Sequence, residues 1–187
     1  MENLLEQSSL FLQQLVNGIT LGGVYALIAV GYTMVYGVIQ LINFAHGEIY
    51  MLGAFLAYSM VTFLGLPFFL AFALTIPVCA IIGIILDFIA YRPLRNAPRL
   101  AALITAIGMS IFLQNLALMI WGSQIKSYPR NILPKVFSEP ALIFGEVSIS
   151  WLQVFILSVT IFCMIFLHLV IHKTRIGAAM RAVSQDK

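Results

Sequence analysis

The chain has 187 residues, a formal net charge of +3 and a mean hydropathy of +1.02. Hydrophobic residues make up 61% of it and charged residues only 9%, whereas charged residues form about 25% of a typical soluble domain. Too few charges remain to keep a water-facing surface dissolved, so the composition excludes an ordinary soluble domain. The ten basic residues are also too scattered along the chain for a nucleic-acid interface.

Five apolar runs follow in chain order, and each is predicted to form a membrane-spanning helix. A helix needs about 20 apolar residues to cross the hydrocarbon core, and lipid requires each backbone polar group to be paired within its own segment. The runs are continuous rather than alternating, which argues against a β-barrel. They are Phe11–Val38, Glu48–Leu64, Phe68–Ala90, Leu100–Trp121 and Ser150–Ile171. The expected fold class is all-α, a polytopic transmembrane helical bundle.

Between the first two runs, the stretch INFAHGE brings Asn43, His46 and Glu48 together, with Gly47 among them. The first run is long and the second is short. Either the helix tilts and the cluster lies at the cytoplasmic interface, or the helix is broken or re-entrant around 38–48 and the cluster lines a sheltered path. A carboxylate facing lipid costs about 3 kcal/mol. Glu48 is therefore expected to face a protein interior or a membrane edge.

The distribution of Lys and Arg predicts the orientation of the chain. Seven of these residues lie in the loop after the third run and in the tail, three lie in the 122–149 connection, and none precedes the first run. Because basic loops stay in the cytoplasm, the amino terminus is expected outside and the carboxy terminus in the cytoplasm. The 122–149 segment then becomes an extracytoplasmic loop, which is either a plain connection or a docking surface for an external partner.

A few residues inside the apolar runs suggest helix packing rather than chemistry. Gly18 and Gly22 form a G-x-x-x-G pattern, which lets two helices approach closely, and Gly23 and Gly31 extend its small-residue character. Gln114 and Asn115 are expected to bond across helices, with substrate contact as the alternative. Asp87, near the end of its run, is interpreted as paired or solvated at the interface rather than as part of a proton relay.

The remaining reactive side chains do not form a recognisable catalytic or metal site. His168 and His172 are four residues apart and share a helix face, but two histidines alone make a poor metal site. Cys79 and Cys163 lie in apolar runs and are interpreted as small hydrophobic residues. With no phosphate-binding loop and no nucleophile–base order in the sequence, we expect neither enzyme activity nor a bound metal.

Three stretches carry a family resemblance that spans essentially the whole chain. They read GITLGGVYALIAVGYTMVYGVIQLINFAHGEIYMLGAF, AYRPLRNAPRLAALITAIGMSIFLQN and GEVSISWLQVFIL. Together they resemble the permease subunits of branched-chain amino acid ABC importers. Family members continue with further spanning helices, so the chain is expected to lack the carboxy-terminal part of such a subunit. It would then be a fragment, a truncated product or one half of a split subunit.

The resemblance also implies a set of partners and a location. Residues 1–187 would form a single transmembrane permease domain in a bacterial inner (plasma) membrane. A second permease subunit would complete the translocation pathway, and two cytoplasmic ATPase subunits would bind and hydrolyse ATP. An extracytoplasmic amino-acid-binding protein would deliver leucine, isoleucine or valine. No cofactor and no nucleic acid are expected on this chain.

The family likeness favours the pathway interpretation of the INFAHGE stretch. On this interpretation Asn43, His46, Gly47 and Glu48 line or support the substrate pathway. Gly47 would permit close approach of another segment, and Asn43 would cap backbone groups freed by the helix break.

The likeness also identifies residues 172–187 as the start of a cytoplasmic coupling segment that docks on the ATPase. Arg175, Gly177, Arg181 and Asp186 match the family pattern. Ala178 stands where a basic residue is expected, so one ATPase contact would be altered.

Two other functions remain open at the level of the sequence. The first is an ion-coupled secondary transporter or channel that uses Glu48 or Asp87. The second is a truncated membrane fragment that does not transport.

Overall fold

The computed structural model describes residues 2–39, 43–94, 97–128, 133–144 and 146–185. Within these ranges the chain forms six α-helices and one short hairpin, which confirms the all-α expectation. The elements are α1 (Glu2–Ile39), α2 (His46–Thr62), α3 (Phe68–Leu86), α4 (Arg99–Trp121), β1 (Pro140–Phe144), β2 (Val147–Ser150), α5 (Trp151–Lys173) and α6 (Arg175–Gln185). A π-helix (Asp87–Tyr91) and a 3-10 helix (Arg92–Leu94) follow α3, and a second 3-10 helix (Lys135–Ser138) precedes β1.

Four segments of the described chain are long and apolar enough to cross a membrane: Gln7–Gly37, Phe68–Leu94, Leu100–Trp121 and Trp151–Lys173. They correspond to four of the five predicted spans. The fifth corresponds to α2, which has 17 residues and is therefore roughly 26 Å long. That length is slightly below the hydrocarbon thickness of about 30 Å. By length and composition the chain is a multi-pass helical protein with one shorter apolar helix.

Helical structure is interrupted between α1 and α2, inside the segment predicted to be broken. The first helix ends at Ile39 and the second begins at His46. Part of this prediction falls on residues 40–42, which lie outside the described residues. The first turn of α2 contains Glu48. A carboxylate is favourable there because the amino-terminal end of a helix carries partial positive charge.

The chain divides into two compact units, one formed by residues 1–31 and 133–187 and the other by residues 32–132. In the 32–132 unit, α2, α3 and α4 share an apolar core. Its buried members are Ala45, Leu52, Leu86, Leu113 and Ala117. Small residues permit close contact between α2 and α3, since a Cβ on Gly53 would lie 3.0 Å from Cys79 Sγ. Both cysteines are free, as expected of small apolar residues.

In the unit formed by residues 1–31 and 133–187, polar side chains hold the hairpin to the first part of α1. The Gln13 side-chain amide donates to the Ser148 carbonyl (3.1 Å) and accepts from the Ser148 N–H (2.8 Å). The Ser9 hydroxyl donates to the Glu146 carboxylate at 2.5 Å. Gln153 donates to Asn17 at 2.8 Å. These contacts tie β2 and the start of α5 to α1.

The close helix contact of this unit occurs at Gly23, one of the small residues that extend the predicted pair. A Cβ on Gly23 would lie 3.3 Å from Leu157 Cδ2, so this residue permits α1 and α5 to approach. Outside their own helix, no described atom lies within 4 Å of a Cβ placed on Gly18 or Gly22. The prediction of tight helix packing is therefore confirmed at Gly23, whereas Gly18 and Gly22 make no such contact among the described residues.

The 122–149 segment contains more structure than the connection expected from the sequence. Its strands pair antiparallel, with Phe144 opposite Val147. In the 32–132 unit, the Tyr128 hydroxyl donates to the Ala54 carbonyl at 3.3 Å, and its ring meets those of Tyr58 and Phe68 edge to face. Burial raises the pKa of the Tyr128 phenol, so this side chain acts as a neutral donor near neutral pH.

Candidate functional site

The polar segment Asn43–Glu48, called the junction segment below, lies at the start of α2 in the 32–132 unit. Asn43 makes its contact with the π-helix. The Tyr91 hydroxyl donates to Asn43 Oδ1 at 2.6 Å, and Tyr91 is only 8% exposed. A buried phenol needs such a partner because an unpaired hydroxyl in an apolar setting is costly. This bond fixes the position of residue 43 relative to the end of α3.

Asn43 does not cap α2 as predicted. The N-cap residue is Ala45, and no side chain accepts a capping bond there. Instead the backbone carbonyl of Asn43 accepts the His46 N–H at 3.1 Å. The capping prediction failed because the Asn43 side chain is engaged by Tyr91, 48 residues along the chain, and local sequence does not reveal that partner.

Glu48 binds α4 through two donors. The Ser110 hydroxyl and the Gln114 amide both donate to Glu48 Oε1, at 2.8 Å and 2.7 Å. Ser110 and Gln114 are four residues apart and so face the same side of the helix. Glu48 is expected to face a protein interior or a membrane edge, and its carboxylate is bonded to another helix. Gln114 makes the predicted bond across helices, whereas Asn115 bonds the Ile111 carbonyl of its own helix.

His46 contacts α1, whereas the space beside Gly47 is open among the described residues. The His46 and Tyr32 rings meet edge to face with centroids 6.3 Å apart. Gly47 is exposed, and nothing lies within 4 Å of a Cβ placed on it. The three polar side chains of the junction segment therefore each contact a different neighbour: the π-helix, α1 and α4.

A cavity of about 250 Å³ opens beside this segment. Its lining residues are Val35, Asn43, Ile49, Gly83, Leu86, Asp87 and Tyr91. The apolar side chains come from α1, α2 and α3, and the polar ones come from the junction segment and the π-helix. The lining thus combines three polar residues, Asn43, Asp87 and Tyr91, with aliphatic ones.

A π-helical turn joins Asp87 and Tyr91, which both line this cavity. The Arg92 N–H bonds the Asp87 carbonyl, five residues earlier, which widens the turn relative to an α-helix. The next residue, Pro93, has no N–H and cannot continue a regular helix. The Arg92 guanidinium lies over the Phe88 ring, 5.3 Å from its centroid.

Sequence reasoning missed the roles of Tyr91 and Ser110 in this region. Asp87, which the sequence suggests is paired or solvated at the interface and offers as an ion-coupling residue, lines the cavity. An acidic residue within an apolar run is a candidate for a functional position. Tyr91 and Ser110 gave no comparable signal, since both residue types are common at helix ends and within membrane helices.

The second predicted site lies where α5 meets α6, in the unit formed by residues 1–31 and 133–187. This region, Val170–Arg181, is called the α5–α6 corner below. The Thr174 hydroxyl accepts the Gly177 N–H at 3.1 Å and donates to the Val170 carbonyl at 2.5 Å. Thr174 thus caps the start of α6 in the way that hydroxyl residues favour.

Gly177 and Arg181 hold α6 against the end of α5. Gly177 is buried, and a Cβ on it would overlap the carbonyl oxygens of Val170 and Ile171. The Arg181 guanidinium donates to the Ile171 carbonyl, where a cation is also favoured by the negative carboxy-terminal end of the helix. Arg175 is exposed. Asp186, the fourth predicted coupling residue, lies outside the described residues.

The two histidines behave as their spacing predicts, and they do not indicate a metal site. The rings of His168 and His172 stack with centroids 4.3 Å apart. The His172 ring also bonds the His168 carbonyl at 3.1 Å. Among the described residues, no group of three or more His, Cys, Asp or Glu side chains is placed to hold a metal ion.

Comparison with known proteins gives a consistent family assignment. Residues 14–187 match the family model described as the permease component of branched-chain amino acid transport systems. The chain is 47% identical to the high-affinity branched-chain amino acid transport system permease protein BraD of Pseudomonas aeruginosa, covering 94% of this chain and 60% of that protein.

Other relatives agree. The permease protein LivH of the high-affinity branched-chain amino acid transport system of Escherichia coli is 42% identical, over 97% of this chain and 61% of that protein. A probable LivH of Methanocaldococcus jannaschii is 28% identical over 86% of this chain. The chain thus spans about 60% of the length of the bacterial relatives. No solved structure matches the chain. The chain belongs to the family of permease components of branched-chain amino acid transport systems.

Proposed function

We propose that the chain is part of a membrane permease subunit of an ATP-driven importer for branched-chain amino acids. The observation that carries this proposal is the family match over residues 14–187, together with relatives named as branched-chain amino acid permeases. The anchored junction segment supports it. Its three polar side chains are bonded or packed within protein at the end of apolar helices, as a sheltered polar region in a membrane requires.

The proposed assembly contains more than this chain. A second permease subunit completes the path, two cytoplasmic ATPase subunits bind and hydrolyse ATP, and an extracytoplasmic binding protein delivers the amino acid. The chain itself then needs no cofactor and catalyses no reaction. We place the assembly in the bacterial inner membrane, with the amino terminus outside and the carboxy terminus in the cytoplasm.

In this arrangement the α5–α6 corner transmits motion from the ATPase. α6 is held to α5 by Thr174, Gly177 and Arg181, so a force applied to α6 is carried directly to α5. Exposed Arg175 and Val183 lie on α6 and are available to contact another subunit.

Uptake by the complete importer tests the function. The full-length subunit is reconstituted with its partner permease, ATPases and binding protein in liposomes, and uptake of radiolabelled leucine is measured. We expect uptake that requires ATP and the binding protein. Uptake that proceeds without ATP and follows a proton or sodium gradient would support the second candidate, an ion-coupled transporter, which the presence of Asp87 in the cavity wall favours.

A third candidate, a membrane fragment that does not transport, is tested by assembly. We expect the Met1–Lys187 chain or its full-length form to co-purify with the ATPase subunits. Insertion into the membrane without co-purification, combined with no uptake, would contradict the transport proposal and support the fragment.

Orientation is tested by labelling single cysteines from one side of the membrane. A Ser123→Cys variant in the loop after α4 should react with an impermeant thiol reagent added outside, and a Thr174→Cys variant should not. Cys79 and Cys163 are replaced by alanine beforehand, because both are free thiols. The reverse pattern of labelling would invert the proposed topology.

A further inference from the structure

The cavity beside the π-helix has the size and chemistry of a site for a small organic ion. Its volume of about 250 Å³ lies below the roughly 300–1,000 Å³ of sites for drug-sized ligands. Val35, Ile49 and Leu86 provide an aliphatic wall. Gly83 lies between them and leaves space where any other residue would place a side chain. A short aliphatic chain fits such a wall better than a polar group does.

The polar end of the same cavity offers complementary partners for a zwitterion. Asp87 is one of the lining residues, and a carboxylate is the usual partner of a primary ammonium group. Asn43 Oδ1 accepts the Tyr91 hydroxyl at 2.6 Å, which orients the amide. Its NH2 group is then the end that remains to donate to a ligand carboxylate.

We propose that this cavity is a translocation subsite that holds the cargo amino acid by its ammonium group at Asp87, its carboxylate at Asn43 and its aliphatic side chain against Ile49 and Leu86. The inference rests on the proposed function, since it assigns the position of the substrate within the permease. Tyr91 is a positioning residue, because it acts on the substrate through Asn43.

The first test pairs a protein change with a ligand change. Binding of radiolabelled leucine to the purified assembled transporter, without its binding protein, is measured for the wild type and for Asp87→Asn. 4-Methylpentanoate, which is leucine without the ammonium group, serves as the competitor. We expect Asp87→Asn to weaken leucine binding about tenfold or more, as loss of a charge-assisted bond does, and to affect 4-methylpentanoate little.

A merely structural effect of the substitution would give a different result, because it would weaken both ligands to the same extent. An unchanged preference for leucine over 4-methylpentanoate in Asp87→Asn would therefore overturn the proposal. So would the absence of measurable leucine binding to the wild-type transporter.

The second test fills the cavity. A Cβ on Gly83 would lie 3.9 Å from Ile49 Cδ1, an ordinary contact, so Gly83→Val adds its methyl groups to the cavity without a backbone clash. The matched control is Ala80→Val, at an exposed position of the same helix. We expect Gly83→Val to reduce leucine uptake by about tenfold and valine uptake by less, because the shorter side chain needs less space. Ala80→Val should leave both unchanged.

Tyr91→Phe tests the positioning role. It removes the bond to Asn43 while leaving the ring in place. We expect weaker binding of leucine and a smaller effect on its amine analogue 3-methylbutylamine, which has no carboxylate for Asn43 to bind. Equal weakening of both ligands would contradict the role.

Failure of the subsite and failure of the proposed function are distinguishable. If the wild-type importer takes up no leucine with ATP, the proposed function itself is contradicted. If the wild-type importer does take up leucine, but uptake and ligand preference are unchanged in Asp87→Asn and Gly83→Val, only the subsite is contradicted.

Discussion

The junction segment and the α5–α6 corner interrupt apolar helices in two different ways. In the junction segment, Asn43 and Glu48 bond side chains that are 48 and 62–66 residues away. In the α5–α6 corner, Thr174 and Arg181 bond groups within ten residues along the chain. The first interruption depends on the packing of three other elements, and the second is built almost entirely from local contacts.

This difference predicts different responses to change. A corner built from local contacts is little affected by substitutions elsewhere in the protein. Adding a side chain at its closest contact, however, disrupts it. A junction held by distant partners responds to substitutions on several helices, each with a modest effect, and those effects are coupled.

The largest expected effect is at Gly177. Gly177→Val would drive its side chain into the carbonyl oxygens of Val170 and Ile171, so we expect a loss of about 3 kcal/mol in the docking of α6, typical of severe overpacking. Limited trypsin digestion of the assembled transporter should cleave at Arg181 much faster than in the wild type. The control is Ala178→Val at the neighbouring exposed position. Equal cleavage of Gly177→Val and wild type would show that the corner is not tightly packed.

The next effect concerns Glu48. Replacement by alanine leaves Ser110 and Gln114 without their shared acceptor, and we expect a destabilisation of about 2 kcal/mol, as for hydrogen bonds to charged groups. Thermal unfolding of the purified transporter in detergent measures the change. Glu139→Ala, at an exposed loop position, is the matched control. Similar unfolding temperatures for Glu48→Ala and Glu139→Ala would contradict a stabilising role of the Glu48 hydrogen bonds.

A smaller effect is expected at Thr174, the cap of α6. Thr174→Ala removes the hydroxyl that accepts the Gly177 N–H and should destabilise α6 by about 1 kcal/mol. Hydrogen exchange of the α6 amides reports this change directly. Thr174→Ser keeps the hydroxyl and should restore protection. If alanine and serine gave the same exchange rates, the cap would contribute nothing to the corner.

The smallest expected effect sharpens the contrast between the two regions. Gln114→Leu removes one bond to Glu48 and should cost about 0.6 kcal/mol, the typical value for a bond between membrane helices. Combined with Glu48→Ala, it should add almost nothing, because the shared contact is already lost. Asn115→Leu is the control, since Asn115 bonds its own helix. Additive effects of Glu48→Ala and Gln114→Leu would contradict the coupling.

The helices themselves could be predicted from the sequence with good accuracy. The run predicted as Leu100–Trp121 is α4, Arg99–Trp121, and the run predicted as Ser150–Ile171 is α5, Trp151–Lys173. Hydropathy is a property of a continuous segment, so the ends of these two apolar runs lie close to the ends of the helices. The first run is different, because α1 begins at Glu2, nine residues before the run predicted to start at Phe11. The hairpin was missed because its pairing depends on a contact between two short strands, although the alternating VSIS stretch was a usable signal.

The site could be predicted only in part. The sequence identifies Asn43, His46 and Glu48 as unusual because a polar residue in an apolar chain can be recognised from its own identity. The partners of these residues cannot be recognised in this way. Nothing in the local sequence connects Asn43 with Tyr91, since the bond forms only when α2 packs beside the end of α3. By contrast, the residues that Gly177 and Thr174 contact lie within one or two helical turns of them along the chain.

The wide turn at Asp87–Tyr91 holds one residue more than an ordinary helical turn does. Deleting one exposed residue there, such as Ile89, would let the backbone close into an α-helix while the segments on either side kept nearly the same phase. The same deletion within the regular part of α3 would instead turn everything beyond it by about 100°. The wide turn is therefore a place where the chain can shorten by one codon without altering the phase between the two ends of the helix.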